Sequence, residues 1–86
     1  MNKPSIIIYT TPYCGYCLRV KQFLNDQGLS FEEIEVDKDP DKMQEMISKT
    51  GRQSVPQIFI NGKHIGGHDE LFELKTKGQL DELLNP

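Results

Sequence analysis

The chain has 86 residues, a net charge of −3 and 27% charged residues. That length suits a single domain spanning 1–86, and a chain this short buries roughly 60–65% of its unfolded surface, so the core is modest. The acidic balance, with no basic stripe interleaved with aromatics, argues against nucleic acid as a partner. Two cysteines are too few for a disulfide-stapled scaffold, which leaves Ile, Leu, Val, Phe and Met to build the core. The apolar run Ile6-Ile7-Ile8 behind Lys3 is too short for a signal-peptide core or a membrane span. The expected setting is a reducing cytoplasm without membrane contact. In that setting a Cys-x-x-Cys is catalytic or metal-binding rather than structural.

In chain order, Ser5 to Tyr9 reads as a buried strand. Thr11-Pro12-Tyr13-Cys14-Gly15-Tyr16-Cys17 follows, and a helix with its body over Leu18 to Gln27 begins near the cysteines. Cys17, Val20, Phe23 and Leu24 make its apolar stripe, and Gly28 ends it. Residues 31–36 form a second strand. Asp39-Pro40 is a helix start, with Asp as the N-cap and Pro at the first helical position. Met43, Met46, Ile47 and Thr50 mark the buried face of that helix, which Gly51 closes. Gln57 to Ile60 and Lys63 to Ile65 flank Asn61-Gly62, the preferred two-residue hairpin turn. Gly66-Gly67 leads into a helix over Asp69 to Lys77, with Leu71 and Leu74 inward and Gly78 as its cap. Leu80, Leu83 and Leu84 form a last short helical turn. The order β-α-β-α-β-β-α gives an α/β fold. Its sheet has four strands, two parallel plus an antiparallel hairpin, with helices on both faces.

A strand, a Cys-x-x-Cys and a helix in succession is the thioredoxin-like redox arrangement. A thiolate at a helix N-terminus is stabilised by unpaired N–H groups and by the positive end of the macrodipole. Cys14 is the expected nucleophile, because attack on a disulfide needs an exposed thiolate. Cys17 lies on the apolar stripe and is the expected resolving thiol. The competing reading is half of a zinc site. Only His64 and His68 remain as further ligands, and His64 belongs to the hairpin pattern.

Four segments together carry a family likeness: Tyr9-Thr10, Tyr13 to Cys17, Ser54 to Ile60, and Ile65-Gly66-Gly67-His68-Asp69. With these the chain resembles the dithiol glutaredoxins of bacteria over nearly its full length. The resemblance implies a thioredoxin-like fold and glutathione-dependent reduction of glutathione mixed disulfides and protein disulfides. It implies a cis Val55–Pro56 bond facing the cysteines, with the Val55 backbone pairing to the cysteinyl part of glutathione as an added strand. It places the γ-glutamyl carboxylate at the helix start of Gly67 and His68, and its amino group against Asp69. Tyr16 would flank the bound sulfur and Tyr13 line the same groove. Arg52 and Gln57 are candidates for the glycyl carboxylate. The implied partners are glutathione, glutathionylated or disulfide-bearing proteins and, indirectly, the glutathione reductase system. The chain itself would act as a monomer in its cluster-free form.

Two positions depart from the family pattern. Thr11 stands where many members have a lysine that would pair with the glycyl carboxylate. Thr11 offers only a hydroxyl to glutathione, so the helix terminus carries more of the thiolate's stabilisation, with Arg19 and Lys21 weak contributors. Gly15 stands where the commonest dithiol members have proline. Members without that proline resemble proteins that hold a [2Fe–2S] cluster between two subunits, and Cys14 would be the ligand here. Two further expectations follow as alternatives: a cluster carrier or sensor, and a small redoxin reduced directly by a flavoenzyme. The Gly-Gly-His-Asp segment and the absence of Trp oppose the second.

Overall fold

The computed structural model describes residues 4–84. Its elements run β1 (Ile6–Thr10), α1 (Gly15–Asp26), β2 (Glu32–Glu35), α2 (Pro40–Thr50), β3 (Gln57–Ile60), β4 (Lys63–Gly66), α3 (His68–Thr76) and α4 (Leu80–Leu84). The sheet has four strands in the order β2-β1-β3-β4. β1 runs parallel to β2 and antiparallel to β3, and β3 runs antiparallel to β4. This is the mixed thioredoxin-like sheet the element order predicts.

Period-2 alternation on the central strands sends side chains to both faces. Ile6 and Ile8 of β1, with Ile58 and Ile60 of β3, meet Val20, Phe23 and Leu24 of α1, Leu71 of α3, and Leu80 and Leu84 of α4. Tyr9 points the other way, to Val36 just after β2 and Met46 of α2, with Ile7 and Phe59 beside them. α1, α3 and α4 therefore cover one face, and α2 covers the other. Burying each large aliphatic is worth about 1.5–3 kcal/mol, so these two clusters hold the domain together.

Several strand boundaries differ from the sequence expectation, β4 running on to Gly66. β1 starts one residue later, because Ser5 pairs with the hairpin turn instead: Asn61 N–H donates to Ser5 O at 2.7 Å and Ser5 N–H to Asn61 Oδ1 at 2.9 Å. It ends one residue later because Thr10 O accepts the Val36 N–H at 3.0 Å and the Thr10 hydroxyl donates to Glu33 at 2.6 Å. β2 is shorter than the expected 31–36. It is an edge strand, and its three glutamates are exposed, as suits an edge that must not recruit a further chain.

The helix ends follow the predicted chemistry. Asp39 Oδ1 accepts from the N–H groups of Asp41 and Lys42, and Pro40 opens α2. α1 ends in a Schellman motif, with Leu29 N–H donating to Leu24 O at 2.9 Å and Gly28 N–H to Asn25 O at 3.0 Å. α3 ends the same way, through Gln79 to Leu74 and Gly78 to Lys75. Among the described residues no helix is long and apolar enough to cross a membrane.

Candidate active site

Cys14 is the N-cap of α1, with extended backbone (φ −100°, ψ 115°). Its Sγ accepts the Cys17 N–H at 3.4 Å, which is the geometry that holds a sulfur anion at a helix start. The Cys14 thiol also reaches the Val55 carbonyl at 3.7 Å. Cys14 is half-buried, whereas Cys17 is 0% exposed on the inner stripe of α1. Burial pushes the Cys17 thiol up to about 12. A backbone hydrogen bond from Thr11 and the charge of Lys21 pull it down against that, and neighbouring Cys14 adds to the rise. Both cysteines are free thiols. The pair is thus asymmetric, with one thiol reachable and the other kept protonated.

The Val55–Pro56 peptide bond is cis, as the resemblance implied, and it lies just ahead of β3. α3 begins directly opposite it. A Cβ at Gly67 would stand 3.1 Å from the Pro56 carbonyl, so glycine lets the start of α3 approach the proline loop closely. Between them runs a groove of about 220 Å³, lined by Tyr16, Arg52, Ser54, Val55, Pro56, Gln57, Gly67, His68, Asp69 and Glu70.

Eight sequence-predicted binding residues therefore meet in one groove: Tyr16, Arg52, Val55, Pro56, Gln57, Gly67, His68 and Asp69. Thr11 does not line it. Its side chain is half-buried beside the cysteines, and its backbone hydrogen-bonds Cys17. Tyr13 is 96% exposed and lies outside the groove lining. Gln57 is buried, and its amide nitrogen donates to Ser54 O at 2.9 Å and Ser54 Oγ at 3.3 Å. Its amide oxygen can only accept, so His64 Nε2 donates to it at 2.8 Å. Gln57 thereby braces the Ser54–Val55 turn and engages His64, the other histidine weighed as a zinc ligand. His68 opens α3 one residue before the expected start, packs its ring 4.9 Å from Tyr16, and pairs with Asp69 at 2.9 Å.

Ser54 and Glu70 are groove residues that sequence reasoning missed. Glu70 had a signal: it stands three residues after Gly67, the position from which a glutamate reaches back to the N-cap N–H. It does so here, accepting the Gly67 N–H at 2.9 Å and pairing with Arg52. The Gly67 N–H, with Arg52 adding to it, holds the Glu70 carboxyl below its usual range.

A buried and a half-buried thiol on one helix start, facing a cis-proline loop on a mixed four-stranded sheet, define a dithiol oxidoreductase of thioredoxin-like fold. The family model described as Glutaredoxin matches residues 6–65. Glutaredoxin 3 of Escherichia coli strain K12 is 48% identical over 80 residues, covering 93% of this chain and 96% of that protein. The solution structure of glutaredoxin from Brucella melitensis superposes with a TM-score of 0.84 at 43% identity, covering 98% of this chain and 91% of that one. A crystal structure of a buckwheat glutaredoxin–glutathione complex superposes with a TM-score of 0.84 at 36% identity, covering 92% and 74%. The chain belongs to the glutaredoxin family and is a glutathione-dependent thiol–disulfide oxidoreductase.

Proposed function

We propose that Cys14 is the nucleophile and that the groove between the proline loop and α3 receives glutathione. The observation that carries this reading is the asymmetry of the two thiols: the half-buried Cys14 Sγ reaches the carbonyl of Val55, a groove residue, at 3.7 Å, while Cys17 is 0% exposed. The Cys14 thiolate attacks the glutathionyl sulfur of a mixed disulfide. The Cys14–glutathione bond forms, the old S–S bond breaks, and the target leaves as a thiolate that takes a proton. A second glutathione thiolate then attacks the glutathionyl sulfur, which releases glutathione disulfide and regenerates Cys14. In the alternative exit, Cys17 attacks Cys14 Sγ and expels glutathione, and the resulting intramolecular disulfide is reduced by glutathione.

In the groove, the Val55 backbone lies just ahead of the start of β3 and offers extended pairing to the cysteinyl residue. Arg52 takes a carboxylate of glutathione, and the start of α3 at Gly67 and His68 takes the other, with Asp69 for the amine. Tyr16 borders the reacting sulfur, and Gln57 keeps the Ser54–Val55 turn in place. Recognition thus falls on glutathione rather than on the target, which suits a chain that acts on many glutathionylated proteins. A monomer in a reducing cytoplasm meets these needs, since Cys14 and Cys17 must return to thiols after each cycle.

The Cys17→Ser and Cys14→Ser variants test the roles. The first should keep most of the activity on a glutathionylated peptide and lose reduction of protein disulfides. The second should lose both. If Cys17→Ser abolishes peptide deglutathionylation, glutathione is not handled by Cys14 alone and the mechanism fails.

Gly15 favours a second reading, a [2Fe–2S] cluster. An added Cβ there would meet nothing within 4 Å, so the helix start beside Cys14 is open. Among the described residues no three His, Cys, Asp or Glu side chains converge as a metal site. A cluster therefore fits this chain only through Cys14, with its other ligands from a second copy and from glutathione. Anaerobic reconstitution that yields only colourless monomer would exclude it.

A further inference from the structure

Arg52 is the one Arg or Lys side chain lining the groove, and Asp69 and Glu70 line it too. One positive charge against two negative ones leaves the Arg, Asp and Glu side chains of this lining at −1. Burial, and then the charge of Arg52, hold His64 below its ordinary range, so it does not supply a second cation. Glutathione arrives with a carboxylate at each end. The single cation that could meet one of them is already paired, and the pairing is built into the backbone. Glu70 Oε1 accepts both the Arg52 guanidinium and the Gly67 N–H. Its side chain folds back over Gly66, where a Cβ would stand 2.5 Å from Oε1, and Gly66 takes φ +122°. Only a bare backbone at Gly66 leaves room for this fold-back.

We propose that Glu70 is an internal competitor for glutathione, holding Arg52 until a glutathione carboxylate displaces it. The inference rests on the glutathione groove proposed above. The pair is suited to exchange, because Arg52 and Glu70 side chains are 47% and 38% exposed. An exposed pair of this kind shifts an equilibrium by about two- to fivefold, enough to set affinity and too little to lock the groove shut. The consequence is weaker retention of glutathione, and hence discrimination in favour of substrates whose charge is strong enough to win Arg52.

Glu70→Gln keeps a side-chain oxygen for the Gly67 N–H and removes the charge that holds Arg52. With a glutathionylated peptide at low ionic strength, its KM should fall about two- to fivefold with kcat unchanged. The gain should shrink at high salt. In an Arg52→Gln background the same substitution should produce no gain, whereas a merely structural role for Glu70 would act in both backgrounds. Arg52→Gln alone separates the two readings. If it raises KM and Glu70→Gln leaves KM unchanged or raises it, the competitor is overturned and the groove stands. If Arg52→Gln leaves KM unchanged, Arg52 does not receive glutathione, and both the competitor and that part of the groove are overturned.

Discussion

Cys17 and Lys21 lie four residues apart on α1, so Lys21 sits one turn beyond the buried thiol on nearly the same face. Cys17 is inside the protein, and burial raises its thiol to about 12, yet in the proposed cycle it must become a thiolate to expel glutathione from Cys14. The charge of Lys21 is the cationic influence that opposes this rise. Glu33 holds Lys21 in place at 2.9 Å, and Glu33 is in turn fixed by the Thr10 hydroxyl. Lys21→Met should therefore slow the Cys17 step about two- to fivefold, a size suited to a partly exposed cation. Deglutathionylation by the Cys17→Ser protein should not respond to the same change. Quench-flow mass spectrometry of glutathionylated Cys14 reads the step directly. Equal rates for the parent chain and the Lys21→Met variant would remove Lys21 from the account, and Lys21→Arg should behave as the parent does.

At the scale of elements, punctuation residues decide where the site forms. The end of α1 depends on Gly28 at φ +71°, where an added Cβ would meet nothing within 4 Å. Gly28→Ala therefore carries a backbone cost without a steric one. It should lower stability by about 1 kcal/mol and the melting temperature by about 4–8 °C, with activity retained. Asp39→Ala should cost a similar ~1 kcal/mol by orphaning the N–H groups of Asp41 and Lys42. A denaturant series on both variants checks these values. The same punctuation makes the fold readable. Asp39-Pro40, Asn61-Gly62, and Gly28, Gly51 and Gly78 each mark a boundary by local chemistry, and the elements fall between them. What sequence reading misses is set by contacts between distant segments. The ends of β1 are shifted by Asn61 and Val36, far along the chain. The Arg52–Glu70 pair joins a loop to a helix start 18 residues on, and no local pattern announces it. Gln57 has the sequence look of a ligand residue, but its place beside His64 follows only from the hairpin register. Most of the groove is legible because it is built from two compact segments, the proline loop and the start of α3.

Over the whole molecule, a single hydrogen bond ties the pH limits of stability together. The Tyr9 hydroxyl, buried under α2, donates to Glu45 at 2.6 Å. Burial first, and then Glu45, raise the Tyr9 pKa, while the Tyr9 hydroxyl is the main cause holding Glu45 below the usual carboxylate range. Glu33 is also lowered: burial pushes it up, but Thr10 and Lys21 outweigh that. A depressed carboxyl stabilises the fold above its unfolded value, near 4.5, and that stability is lost as pH falls through the folded value. A raised group does the reverse. Cys17, at about 12 against an ordinary 9.0, and Tyr9 contribute fully below about pH 9 and lose their contribution as pH climbs past it. His64, held below its ordinary 6.5, starts the acid decline as the unfolded chain takes up its proton, so the urea midpoint should form a plateau from about pH 7 to about pH 9 and fall on both sides. Tyr9→Phe removes one titrating group and frees the other. It should lower the plateau, flatten the alkaline limb to what Cys17 alone imposes, and soften the acid limb by returning Glu45 toward an ordinary carboxyl. Tyr9→Phe limbs that parallel the parent's at every pH would mean that this bond does not couple α2 to the sheet, and that the domain's pH response arises elsewhere.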